Sequence, residues 1–279
     1  MIDGPALVGP HNGWPERWSR LLGVDFDGAE SHPDAVVAAG LADPRHVDRV
    51  PPLTALVQDA QAAPIERLHA AVALATWGES AGYRAVVDAA HEPRRAPWYG
   101  WSIDRRFSVD NTSSWFATAV LSSRRTARAK DTVEERLVAL RALVGIADRE
   151  YFDEQLEWAV GSGPVDRVAV DVEDVVRRGV RRLLDGDVPA FDLATQLVDL
   201  TAALVESDDA TAVHLATEVI TAAPNGRALL HAAELVARGA GACSLELADH
   251  LGSIGDDEVR RRVARALELR QPPPGTGPG

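Results

Sequence analysis

An all-α fold is the class this sequence predicts, and three observations predict it. Aromatic residues make up only 5% of the chain, and alternating β-branched runs are scarce. Ala, Leu, Arg and Glu recur in blocks of about a dozen to twenty residues, punctuated by Gly, Pro, Asp or Asn. Within those blocks the apolar residues fall three and four apart, the period of a helix with one buried face.

The elements follow in order. Pro64 to Gly78 reads as a helix: Pro64 suits its first turn, Leu68, Ala71, Val72 and Ala75 share a face, and Gly78 suits the C-terminal cap. A short helix from Ala81 to Ala90 follows, and another spans about Asn111 to Arg125 with Trp115 and Phe116 in the core. Thr132-Val-Glu-Glu135 has the form of a capping box ahead of a stripe of Leu137, Leu140, Val144 and Ala147. Tyr151 to Val160 comes next. Val165 to Leu184 carries Val168, Val172, Val175, Val176, Val180 and Leu183 at helical spacing, as Leu193, Leu197, Leu200 and Leu204 do one element later. Further helices are expected at Ala210 to Ala222, Arg227 to Arg238, Leu245 to Ser253 and Glu258 to Leu269, each amphipathic and not buried all round. The Pro- and Gly-rich tail 271–279 is expected to be disordered.

Composition removes several classes. With 279 residues and 46% hydrophobic content the chain can bury a sizeable core. Its single cysteine, Cys243, permits neither an internal disulfide nor a thiolate cage for zinc, and suits a reducing cytoplasm. The opening MIDGPALVGPHNGW holds acid where a signal peptide needs base, and no stretch approaches the roughly 18 apolar residues of a membrane span, so neither secretion nor membrane insertion is expected. Lys130 is the one lysine of the chain, a usage that suits a GC-rich coding genome. The 42 acidic residues outnumber the 29 basic ones for a net charge of −13.

An internal repeat is visible. Arg67-Leu-His-Ala70-Ala71-Val-Ala73-Leu74 places an arginine, small residues three and four positions on, and Ala-Leu at six and seven. Arg136-Leu-Val-Ala139-Leu140-Arg-Ala142-Leu143 repeats the spacing, and Arg260-Arg-Arg-Val263-Ala264-Arg-Ala266-Leu267 gives it again. Small residues let neighbouring helix pairs approach, and the Ala-Leu pair fills their shared core. In these three stretches the chain resembles HEAT-like (PBS-lyase-type) repeat proteins, whose second helix often reads V-R-x-x-A-A-x-A-L-x-x-I-G. Pro52 to Asp59 looks like the first helix of such a pair, whereas Val165 to Arg227 departs from the pattern. The resemblance implies a right-handed α-solenoid of helix pairs over 33–270 with a concave partner-binding face, preceded by an irregular segment, 1–32, that packs on the first repeat. It implies no single activity.

One segment interrupts the array. Between Glu92 and Asp131 lie eight basic residues, from Arg94 to Lys130, against Asp104 and Asp110, a local +6 that leaves −19 for the rest of the chain. Six of the fifteen aromatic residues also fall here. Arg94, Arg95, Trp98, Tyr99, Trp101, Arg105 and Arg106 are the candidate partner contacts, because Trp and Arg offer large contact areas with polar handles that orient them.

Catalytic and metal motifs are missing from the pattern. The eight histidines show no H-E-x-x-H and no ligand pair at helical spacing, and His69 reads as a surface or partly buried residue. Asp25-Phe-Asp27-Gly-Ala-Glu30 lacks the spacing of a calcium loop and reads as a turn. Gly161-Ser-Gly163-Pro164 follows a helix, lacks the lysine of a phosphate loop and reads as a linker, while Cys243 has no histidine beside it and reads as a buried structural thiol. No cofactor is expected. The sequence therefore favours a non-enzymatic scaffold that binds a protein, as adaptor, regulator or immunity-type inhibitor. An acidic body would steer a basic partner onto the concave face while the 92–131 insertion grips one edge. The alternatives are a DNA-binding or alkylpurine-glycosylase-like HEAT protein, which the net charge opposes, and a repeat-containing modification or lyase accessory.

Overall fold

The computed structural model describes residues 16–270. The expected tail at 271–279, His11 and the first fifteen residues of the expected N-terminal segment lie outside the described residues. Among the described residues there are fifteen α-helices and no β-strand, and no helix is long and apolar enough to cross a membrane. The chain divides into two compact units, one comprising 16–146 with 150–162 and the other 147–149 with 163–270.

The first unit contains α1 (Glu16–Leu22), α2 (Pro33–Ala39), α3 (Val50–Gln58), α4 (Pro64–Thr76), α5 (Ser80–His91), α6 (Thr112–Ser122), α7 (Arg124–Ala129), α8 (Val133–Val144) and α9 (Gln155–Gly161). At its centre α4 packs against α3, α5 and α6. Every residue from Leu68 to Gly78 is buried, so α4 is enclosed on all sides and not amphipathic as expected. Its alanines make this possible, since small side chains let several helices approach one axis. The N-terminus of α4 is held by Glu66, whose Oε2 accepts the Ala63 N–H at 2.8 Å. Its C-terminus closes as a Schellman motif: Glu79 N–H reaches Leu74 O at 2.9 Å, Gly78 N–H reaches Ala75 O at 3.1 Å, and Gly78 takes φ +80°. Trp18 and Leu22 of α1 join Val36, Leu53, Leu56, Leu74 and Trp77 in one core cluster, and Trp77 Nε1 donates to Val37 O at 2.8 Å.

Three expectations about helix ends are corrected. Thr132 does not cap α8; its hydroxyl donates to Gly78 O at 2.8 Å and ties the start of α8 to the turn after α4. The helix expected from Asn111 to Arg125 breaks at buried Ser123, whose hydroxyl donates to Val120 O at 2.9 Å, leaving α6 and the short α7. The helix expected at Tyr151 begins only at Gln155, because Tyr151 and Phe152 are buried and the left-handed Asp153 and Glu154 turn the chain before it coils.

The second unit holds α10 (Ala169–Leu184), α11 (Leu193–Ala202), α12 (Asp209–Ala222), α13 (Gly226–Arg238), α14 (Ala242–Ile254) and α15 (Asp257–Arg270). Successive helices touch, and so do alternate ones: α10 with α12 and α12 with α14, α11 with α13 and α13 with α15. Asp192, Asp208 and Asn225 cap α11, α12 and α13 by accepting a backbone N–H three residues on.

The repeated octets fall on α4, α8 and α15, and their leading arginines share one task. Arg67 Nε donates to Val57 O at 2.9 Å, Arg136 Nε to Val120 O at 2.7 Å, and Arg260 Nη1 to Gly255 O at 2.5 Å. Each arginine thus satisfies a carbonyl earlier in the chain than its own helix: on the preceding helix for Arg67, on α6 beyond the intervening α7 for Arg136, and at the end of α14 for Arg260.

Candidate functional site

The 92–131 segment folds as a braced loop followed by α6 and α7. Its brace is Asp110, a buried carboxylate that accepts Gly100 N–H at 2.8 Å, Thr112 N–H at 3.1 Å and the Thr112 hydroxyl at 2.8 Å. Burial pushes the Asp110 pKa up, and those three donors pull it back. Asp104 supports the tip by accepting Arg106 N–H at 2.9 Å and Phe107 N–H at 2.8 Å through Oδ1. Asn111 N–H donates to Ser102 O at 2.9 Å, and Ile103 pairs with Asp110 as an isolated antiparallel bridge.

This bracing sorts the aromatic candidates. Trp98 is 5% exposed, packs edge-on against Phe116 at 5.9 Å between centroids and lies under the Arg67 guanidinium. The loop turns it inward against α6, so in this fold it serves as a packing residue. Trp101 is 54% exposed, Ile103 50% and Tyr99 37%. Phe107 anchors the far side of the loop through an edge contact with Tyr151 at 5.4 Å. Arg94, Arg95, Arg105 and Arg106 are all exposed; Arg95 pairs with Glu92 at 2.7 Å and Arg106 lies over the Phe107 ring. The cavity left beneath Trp98, Tyr99, Asp110 and Phe116 measures about 10 Å³, room for a single water. Trp115 and Phe116 are buried on α6 as expected.

His69 is buried more completely than the surface or partly buried position expected of it. It is 2% exposed, stacked against Trp115 at 5.9 Å and tilted against Trp18 at 5.4 Å. Burial pulls its pKa from 6.5 to about 3, and the nearby His32 adds to the shift. The folded protein holds it neutral while the unfolded chain takes up a proton below pH 6.5. This contribution to stability is whole above pH 6.5 and falls as the pH drops toward 3. At pH 5 the loss is about 2 kcal/mol. Urea midpoints at pH 7.5 and pH 5 should show this slope in the wild type and not in His69→Phe, and an identical slope in both would refute it.

Sequence reasoning passed over a polar ladder in the second unit. Asp192, Asp199 and Glu206 recur every seven residues, and Arg227, His231 and Arg238 on α13 meet them. His231 Nδ1 donates to the Asp199 carboxylate at 2.6 Å, which fixes the ring orientation and tautomer. Burial raises the Asp199 pKa, opposed by His231. The sevenfold spacing of acids was the available signal. Asp25 forms the expected turn, accepting Asp27 and Ala29 N–H through Oδ1 at 2.9 Å each, and Cys243 is half-buried.

No family model, curated protein or solved structure matches the chain.

Proposed function

We propose that this protein is a non-enzymatic helical-repeat scaffold that binds a protein partner through the outer surface of the 98–107 loop. One observation carries the reading: Trp101 and Ile103 stand half-exposed on a loop whose backbone is fixed by Asp104, Asp110 and Asn111. Exposed apolar side chains on a braced loop lose little freedom on binding, and exposed Arg105 and Arg106 beside them give the contact an orienting rim. Support for an array of HEAT-like helix pairs comes from the alternating helix contacts of the second unit. The single cysteine suits a cytoplasmic setting for this scaffold.

The burial pattern separates binding from folding. Trp98→Ala should cost about 3 kcal/mol of stability by emptying a packed site, whereas Trp101→Ala with Ile103→Ala should leave the melting transition in place. In pull-downs from the native lysate, wild type should retain a defined protein that resists nuclease and is lost from the Trp101/Ile103 variant. Recovery of nucleic acid alone would overturn the reading.

A further inference from the structure

A second face of the first unit carries a charge arrangement that the fold leaves unneutralised. Arg124, Arg125 and Arg128 are exposed on α7, and none has a carboxylate partner among the described residues. Arg177, Arg238, Arg260 and Arg262, by contrast, each hold a carboxylate. Lys130, the residue after α7, is already bound to Glu79. Arg124 and Arg128 stand four apart, a like-charge spacing that works against the helix.

On α8, which packs against α7, lies a buried cation. Arg136 is 4% exposed; its Nε serves Val120 O, but its Nη2 meets no protein acceptor. Burial holds the Arg136 pKa below its ordinary value, and Arg124 and Arg128 are close enough to press it the same way. The buried Arg136 charge is close enough to the α7 arginines to add to the positive potential there.

We propose that α7, backed by the buried guanidinium of Arg136, is a docking face for an acidic segment of the protein partner, whose Asp or Glu carboxylates bridge Arg124 and Arg128. The proposal rests on the protein-partner reading for the kind of macromolecule, and uses none of the 98–107 loop residues. The size of the patch favours a short peptide over nucleic acid. Arg124 and Arg128 span only about 6 Å of helix, so a duplex seated there would carry its remaining phosphates over a chain that bears −19 outside the 93–130 segment.

The test titrates the full-length protein into a fluorescein-labelled oligoglutamate peptide and reads anisotropy, with labelled oligodeoxynucleotide of matched charge in parallel. Arg124→Ala with Arg128→Ala should weaken the peptide about tenfold or more, with wild-type affinity falling as salt rises, while Trp101→Ala with Ile103→Ala leaves it unchanged. Absence of wild-type binding to the peptide, equal affinity in the α7 variant, or tighter binding of the oligonucleotide would each overturn the proposal. The loop reading stands or falls separately, on the pull-down with the Trp101/Ile103 variant.

Discussion

Replacing Gly82 with alanine is expected to unfold the first unit or to cost it more than about 4 kcal/mol, although intrinsic propensity favours alanine within a helix by about 1 kcal/mol. A Cβ at position 82 would lie 2.1 Å from Ala75 N, 2.4 Å from Leu74 C and 2.6 Å from Ala75 Cα. All three atoms are backbone of α4, so no side chain can rotate out of the way. The helices must separate by roughly an ångström to restore normal contact, and the dispersion contacts along the α4–α5 interface weaken together. The damage would spread, because α5 also packs on α8. Gly179 on α10 is the internal control: its added Cβ meets only the Leu197 side chain, at 2.4 Å, which can repack. Gly179→Ala should therefore cost about 1–3 kcal/mol. Urea unfolding followed by circular dichroism compares the two, and a wild-type midpoint for Gly82→Ala would disprove the close approach.

What the sequence could and could not disclose divides by the range of the interaction. The ends of α4 were legible because Pro64 and Gly78 act within one turn of where they stand. The helices from α10 to α15 were legible within a few residues because periodicity is local. Thr132 was misread because its hydroxyl serves a carbonyl 54 residues earlier, which a capping pattern cannot contain. Trp98 and Trp101 sit in the same motif with the same neighbours, yet one packs on Phe116 and the other faces outward. The difference is set by the fold of the loop, which Asp110 braces across ten residues. His69 is likewise enclosed by Trp18 and Trp115, from helices distant in sequence. The leading arginine of the repeat was visible as a pattern, but its carbonyl partners were not.

Ala71→Asp should be at least as damaging as the change at Gly82, for an electrostatic reason. Ala71 is 0% exposed in the middle of the enclosed stretch of α4. An ionised carboxylate there would forfeit its hydration at a cost of several kcal/mol, and its neighbours along α4, Ala70, Val72, Ala73 and Leu74, carry no side-chain donor to replace it. Burial would raise the pKa of the introduced carboxyl above its unfolded value, so the group would be forced to hold a proton in the folded state. The penalty is then greatest at neutral pH and shrinks as the pH falls toward the unfolded value near 4. His69, two positions away, has the opposite dependence, because its neutral form is the one that the fold holds. Lowering the pH should consequently narrow the gap between Ala71→Asp and wild type even as both lose stability. Val138→Asp, at an exposed position of α8, carries the same charge change and should be nearly silent. If Ala71→Asp purifies as a soluble protein with the wild-type melting transition, the enclosure of α4 is wrong, and with it the basis for reading Ala70 and Ala71 as the small residues of a packed repeat.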